Sequence, residues 1–125
     1  MAGSSGSLHE SDAVLQPATI DRHRAVVSIM EELEAIDWYD QRIDAAGDSE
    51  LKKILAHNRD EEKEHAAMML EWLRRHDPKL DEHLRTYLFT NKPVLEIEDA
   101  ADDHGGQHAA SARDDGSLGI GSLRS

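Results

Sequence analysis

The 125-residue chain contains no cysteine, which removes disulfides, thiolate metal sites and thiol chemistry. Any metal site must then be built from carboxylate and imidazole, the ligands of harder or borderline metals. Aromatic residues are scarce, at 4%, and hydrophobic residues make up 38%. So few large apolar side chains in so short a chain give a thin core, and self-association is expected. Basic residues are in the minority: 14 Lys and Arg stand against 26 Asp and Glu, for a formal net charge of -12. That balance repels nucleic acid and anionic lipid and attracts cations, so neither is expected as a partner. Long apolar runs are missing too. The longest, Ala66 to Leu70, is far too short to span a bilayer, and "MAGSSGSLHESDAV" lacks the basic and apolar regions of a secretion signal. No membrane insertion and no export are expected.

What is present reads as all-α. Residues 1–18 are largely small, polar and aperiodic, and read as a disordered N-terminal arm. From about Thr19, which can serve as an N-cap, to about Ala46 there is no Gly or Pro and apolar residues recur at helical spacing, until Gly47 supplies a stop. Asp48 or Ser49 caps a second helix that runs to about His76, where Asp77 and Pro78 break it and start a short third helix, about Pro78 to Phe89. The helical domain is thus 19–90. Residues 91–115 are acidic and rich in small side chains, and read as a solvated flexible linker. Residues 116–125, "GSLGIGSLRS", recover spaced apolar side chains.

Helical geometry of about 100° per residue places Ala25, Ile29, Glu32, Ile36, Tyr39 and Ile43 on one stripe of the first helix, where Glu32 is the one charged member. On the second, Leu51, Leu55, Asn58, Glu62, His65, Ala66, Met69 and Leu73 share a face, so Glu62 and His65 stand inside the apolar side. The tight connection at Gly47 makes the two helices an antiparallel hairpin. Glu32 lies 15 residues before Gly47 and Glu62 lies 15 after it, so the two acids stand level and face one interior. Two buried carboxylates cost several kcal/mol each unless compensated, and neither stripe carries Lys or Arg. A divalent cation compensates them, and Glu62-x-x-His65 lets one carboxylate and one imidazole converge on it. The bland alternative is a polar seam with a hydrogen-bonded histidine.

A di-iron carboxylate centre takes one Glu from each of two helices and a Glu-x-x-His from each of two more. This chain holds half of that set. A two-fold dimer of hairpins supplies the other half, thickens the core, and sets four carboxylates of total charge -4 against two Fe(II) ions. Tyr39 lies two turns beyond Glu32 on the same stripe, either as a core aromatic or as a neighbour of the metal. Glu31, Glu34 and Trp38, at i, i+3, i+7, read either as a solvated acidic face with a half-buried Trp or as a weak cation-attracting site.

The segments "SIMEELEAIDWYDQR", "ILAHNRDEEKEHAAMMLEWLRR" and "EHLRTYLFT" resemble the encapsulated ferritins, and "DGSLGIGSLR" resembles the peptide that loads such proteins into encapsulin shells. The resemblance implies a two-helix half-ferritin whose subunits pair into a four-helix bundle with a di-iron centre and assemble into a ring-shaped decamer, with the third helix between neighbouring dimers. It makes Glu32, Glu62 and His65 the iron ligands, with Tyr39 adjacent, and Glu31, Glu34 and Trp38 a group that admits iron. It also implies residence in an encapsulin nanocompartment of the bacterial cytoplasm. By their own pattern Leu118, Ile120 and Leu123, spaced by Gly and Ser, read either as a frayed terminus or as a segment that lies extended in shallow pockets of a partner, tethered by the linker, and the resemblance favours docking on the shell protein.

The resulting expectation is a ferroxidase, oxidising Fe(II) with dioxygen as acceptor and feeding mineral stored in the shell. A non-catalytic helical adaptor is the alternative from another class, and the same ligands also serve dimanganese or mixed-metal chemistry.

Overall fold

The structure, a computed structural model, describes residues 6–108. Among these it is all-helical, with no strand. The proposed docking residues Leu118, Ile120 and Leu123 lie outside the described residues. The chain divides after His76 into two compact units.

The first unit is the expected hairpin, α1 (Pro17–Ala45) against α2 (Ser49–Arg75). Helix α1 starts two residues before Thr19, because Pro17 takes the first helical position, where its missing N–H costs nothing and its φ is already helical. Gln16 precedes it without a side-chain cap. The N-terminal arm is ordered locally within the described part. A short 3-10 turn at Asp12–Val14 is capped by Ser11, whose Oγ accepts from the Ala13 amide at 3.2 Å, and the His23 ring nitrogen Nε2 hydrogen-bonds the Gly6 carbonyl at 3.1 Å.

Gly47 does not act as a left-handed helix stop. Helix α1 ends because Ala46 turns into an extended conformation, and Gly47 keeps an ordinary φ. The reversal is completed from the other side, by Asp48, whose carboxylate accepts the Leu51 amide at 2.8 Å and starts α2. Such a cap contributes about 1 kcal/mol. At the far end of α2, Glu71 is gripped by Arg74 at 2.7 and 2.8 Å and by Arg75 at 2.6 Å, and Trp72 stacks on His76 at 3.9 Å.

The hairpin's core is as thin as the composition implies. Ala25 and Leu73 are the only buried hydrophobic residues found among those described. Large apolar side chains remain exposed on both helices, including Val26, Met30 and Leu33 of α1 and Leu51, Ile54 and Met68 of α2. Area of this kind stays uncovered at a cost unless another chain meets it.

In the second unit, α3 (Pro78–Tyr87) begins at Pro78 behind an Asp77 cap that accepts the Leu80 amide at 3.0 Å. It stops two residues short of Phe89, where the chain turns with Phe89 at φ 61°. Residues 94–108 are not the flexible linker that their acidity suggested: they form helix α4 (Val94–His108). Pro93 opens it, its carbonyl accepting the amides of Glu96 and Ile97. Leu95, Glu96, Ala100 and Ala101 are good helix formers, and Ile97 and Ala101, one turn apart, are the partly covered residues of its first half. Tyr87 lies close enough to Glu98 and Asp102 for burial and those two charges to push its phenol above the ordinary range.

Candidate metal centre

Three side chains converge where the level-acid argument puts them. Glu32 projects from α1, and Glu62 and His65 from α2. One ligand atom from each lies within 4.8 Å of the other two. His65 Nδ1 is 3.4 Å from Glu62 Oε1 and 3.8 Å from Glu32 Oε1. A first-row divalent ion bonding each ligand at about 2.0–2.2 Å needs only a few tenths of an ångström of side-chain movement to sit among them. No other group of three or more candidate ligands meets among the described residues.

The electrostatics show why a cation fits. Glu32 is held above the ordinary carboxylate range, first by its hydrogen bond to Glu62, then by burial and by the Glu62 charge. Glu62 is pulled below that range by the same hydrogen bond and by the one it makes with His65. As pH falls Glu32 is thus the first of the pair to take a proton, as one of two neighbouring acids does when no cation separates them. Nor does a basic side chain substitute for the cation. Arg59 lies one turn before Glu62 on the same seam, a basic residue that the stripes above do not include. Its guanidinium is committed elsewhere, to Asp40 of α1 at 3.0 Å and Asp60 at 3.1 Å. Its spacing of three from Glu62 was the signal in the sequence.

The site lies at an open edge. The Glu32 and Glu62 side chains are 23% and 25% exposed, but His65 is 44% exposed. The reason is the patterning of α2, which carries two apolar seams of alternating three- and four-residue spacing. Leu55, Arg59, Glu62, Ala66, Met69 and Leu73 are all at least half-covered. Beside them run Leu51, Ile54, Asn58, Glu61, His65, Met68 and Trp72, of which Leu51, Ile54, Glu61 and Met68 are exposed. Spacing of that kind is the seam by which one helix packs on another.

The remaining candidates do not join the three. Glu31, Glu34 and Trp38 are exposed on α1, and the Glu31 charge reaches the centre only as a small push on Glu32. Tyr39 is half-buried on the Glu32 stripe, as its position implied. Its ring, like that of Trp38, lies under the Arg42 guanidinium, at 5.6 and 5.9 Å respectively. Arg42 therefore ties the two aromatic side chains together, a contact that i, i+3 and i, i+4 spacing made available.

Comparison with known proteins points the same way. The EncFtn-like family model matches residues 7–91. An encapsulated ferritin-like protein of Rhodospirillum rubrum is 64% identical over 99% of this chain and 92% of its own length. An encapsulin nanocompartment cargo protein of Myxococcus xanthus is 42% identical over 47% of this chain and 45% of its own. A crystal structure of a Nitrosomonas europaea protein, 60% identical, superposes with a TM-score of 0.68 over 70% of this chain and 97% of that one. With a family match across the whole hairpin and α3, this ferritin-like chain, all-helical among the described residues, belongs to the EncFtn-like family.

Proposed function

We propose that the protein is a ferroxidase whose di-iron centre is shared between two copies of the chain. The observation that carries this reading is the convergence of Glu32, Glu62 and His65 at the edge of the hairpin, with His65 on the uncovered seam of α2. Three ligand atoms underfill a first-row ion. A second hairpin related by a two-fold axis brings its own three and covers the exposed seam, forming a four-helix bundle. Two Glu32 and two Glu62 then neutralise two Fe(II) ions.

Iron is the substrate. Protons compete with the metal for the Glu32 and Glu62 carboxylates, so binding weakens as pH falls. Carboxylate oxygens favour the harder Fe(III) product over Fe(II), and a pair of irons supplies the two electrons that reduce dioxygen to hydrogen peroxide with uptake of two protons. Tyr39, held by Arg42, borders the centre. Exposed Glu31, Glu34 and Trp38 admit iron to it. The paired hairpins assemble further into a decameric ring, and Leu118, Ile120 and Leu123 dock this cargo inside an encapsulin nanocompartment of the bacterial cytoplasm, where the ferric product accumulates as mineral. The family membership and the cargo name of the Myxococcus xanthus relative support this placement.

The test is an anaerobic Fe(II) titration followed by air, read by near-ultraviolet absorbance, with Glu62→Ala alongside. About one iron per chain and rapid oxidation lost in the variant are expected. No binding above background, or oxidation unchanged in the variant, would overturn the reading.

A further inference from the structure

The uncovered seam of α2 carries one thioether. Met68 stands one turn beyond His65, and at 57% exposure it is the most exposed large apolar residue of that helix. Its neighbour Met69 belongs to the seam facing α1 and is half-covered. The thioether of Met68 therefore lies open in the unpaired chain, on the surface that pairing would close. On the shared-centre reading, completed centres release hydrogen peroxide as they reduce dioxygen by two electrons, and unpaired chains meet that oxidant.

We propose that Met68 is a peroxide-oxidation site that governs pairing of the chain. The inference rests on the shared-centre reading above. A lone pair of the Met68 sulfur attacks one peroxide oxygen, the O–O bond breaks, and the second oxygen leaves as water; the sulfur loses two electrons and the peroxide gains them. The product sulfoxide is polar and chiral where the thioether was apolar and pliable. Set between His65 and Trp72 on the seam, and present twice in a two-fold dimer, it opposes burial. A chain oxidised before pairing is kept out of the shared centre, whereas a paired chain shields its own Met68. The device thus excludes damaged subunits at the step where the centre is completed.

The experiment uses the full-length chain stripped with chelator and treated with dilute hydrogen peroxide. Peptide mass spectrometry locates the added oxygen, and after peroxide is removed, pairing is driven with redox-inert Zn(II) and followed by sedimentation. Met68 is expected to gain oxygen ahead of Met69, and the treated chain to need about tenfold more protein to pair. Met68→Leu should pair after the same treatment, and untreated Met68→Gln, polar at that position, should pair as poorly as the oxidised chain. Met68→Gln pairing like the untreated chain, or Met69 oxidised first, would overturn the proposal. If the untreated chain does not pair with Zn(II) at any concentration, the shared-centre reading fails, and this inference with it.

Discussion

Replacing Glu32 with Gln should shift stability in opposite directions with and without metal. In the metal-free chain the nearest ligand atoms of Glu32 and Glu62 lie within 4.8 Å. Two unit charges at that distance repel by about 1 kcal/mol in a water-like dielectric and by about 3 kcal/mol at an effective constant of ~20. With roughly a quarter of each side chain exposed, the lower figure applies. Glutamine keeps the shape and the hydrogen-bonding capacity and removes one charge. Metal-free Glu32→Gln is therefore expected to be more stable by about 1 kcal/mol at pH 7, a rise of a few degrees in Tm. The pH dependence follows the same logic. Glu32, raised by its hydrogen bond to Glu62 and by burial, stabilises the fold below its ordinary pKa of 4.5, and that contribution is lost as pH climbs through the raised value. Glu62, lowered, contributes above 4.5 and loses its contribution as pH falls. The metal-free variant should thus lose less stability than the parent as pH rises from 4.5. With anaerobic Fe(II) the order reverses. At a hundredfold excess over Kd the parent gains about 2.7 kcal/mol, most of which the variant forgoes. Thermal melts in chelator and in Fe(II), across pH, read all of this. A variant destabilised equally in both conditions would show that Glu32 serves packing, and would refute the electrostatic reasoning.

Three further perturbations test other parts of the molecule. Glu71 is held at about 2 by Arg74 and Arg75, so its contribution is present above 4.5 and is lost as pH falls through about 2. Because the side chain is 42% exposed, solvent screening limits it to about 1 kcal/mol, against the roughly 3 that the shift alone implies. Acid melts of Glu71→Gln should fall less steeply between those pH values, and parallel slopes would count against the triad of charges. Arg59→Gln and Asp40→Asn should each lower the Tm of the hairpin, and the double variant no further; additive losses would show that the pair does not couple. Deleting 117–125 should abolish co-purification with a co-expressed encapsulin shell while leaving Fe(II) oxidation intact, and loading that persists would place docking elsewhere in the chain.

The hairpin and its site were legible because they follow from periodicity and distance. The stripes through Glu32 and Glu62 fixed which acids face inward, and equal spacing from the turn fixed which stand level. Neither step depends on how the turn is made, which is why the misreading of Gly47 did no harm: Ala46 and Asp48 make the same reversal with ordinary backbone angles. What escaped the sequence was local competition. The acidity of residues 91–115 suggested a solvated linker, but charge does not by itself oppose a helix, and between Val94 and Ala101 there is no Gly or Pro to break one. Arg59 was missed because a wheel assigns a long side chain to one face, whereas its guanidinium reaches across to Asp40 of α1. Tyr39 was placed correctly, but the Arg42 contact that fixes it involves a residue from outside the stripe.

The position of the ligands relative to the two seams of α2 bears on how folding and assembly are linked. Glu62 sits on the seam that α1 covers, and His65 sits on the one left open. Glu32 reaches the same point from α1. On the shared-centre reading the three side chains therefore straddle the boundary between packing within one chain and packing between chains. A cation that binds all three holds α1 to α2, orients His65 on the open seam, and removes the repulsion that a second pair of carboxylates would otherwise add. Metal binding then stabilises the hairpin and the paired state through one set of contacts, so its free energy appears as both folding and association. A chain with so little core of its own has most to gain from that coupling. On the shared-centre reading it stays loosely assembled without metal and completes its bundle when a divalent ion such as Fe(II) binds.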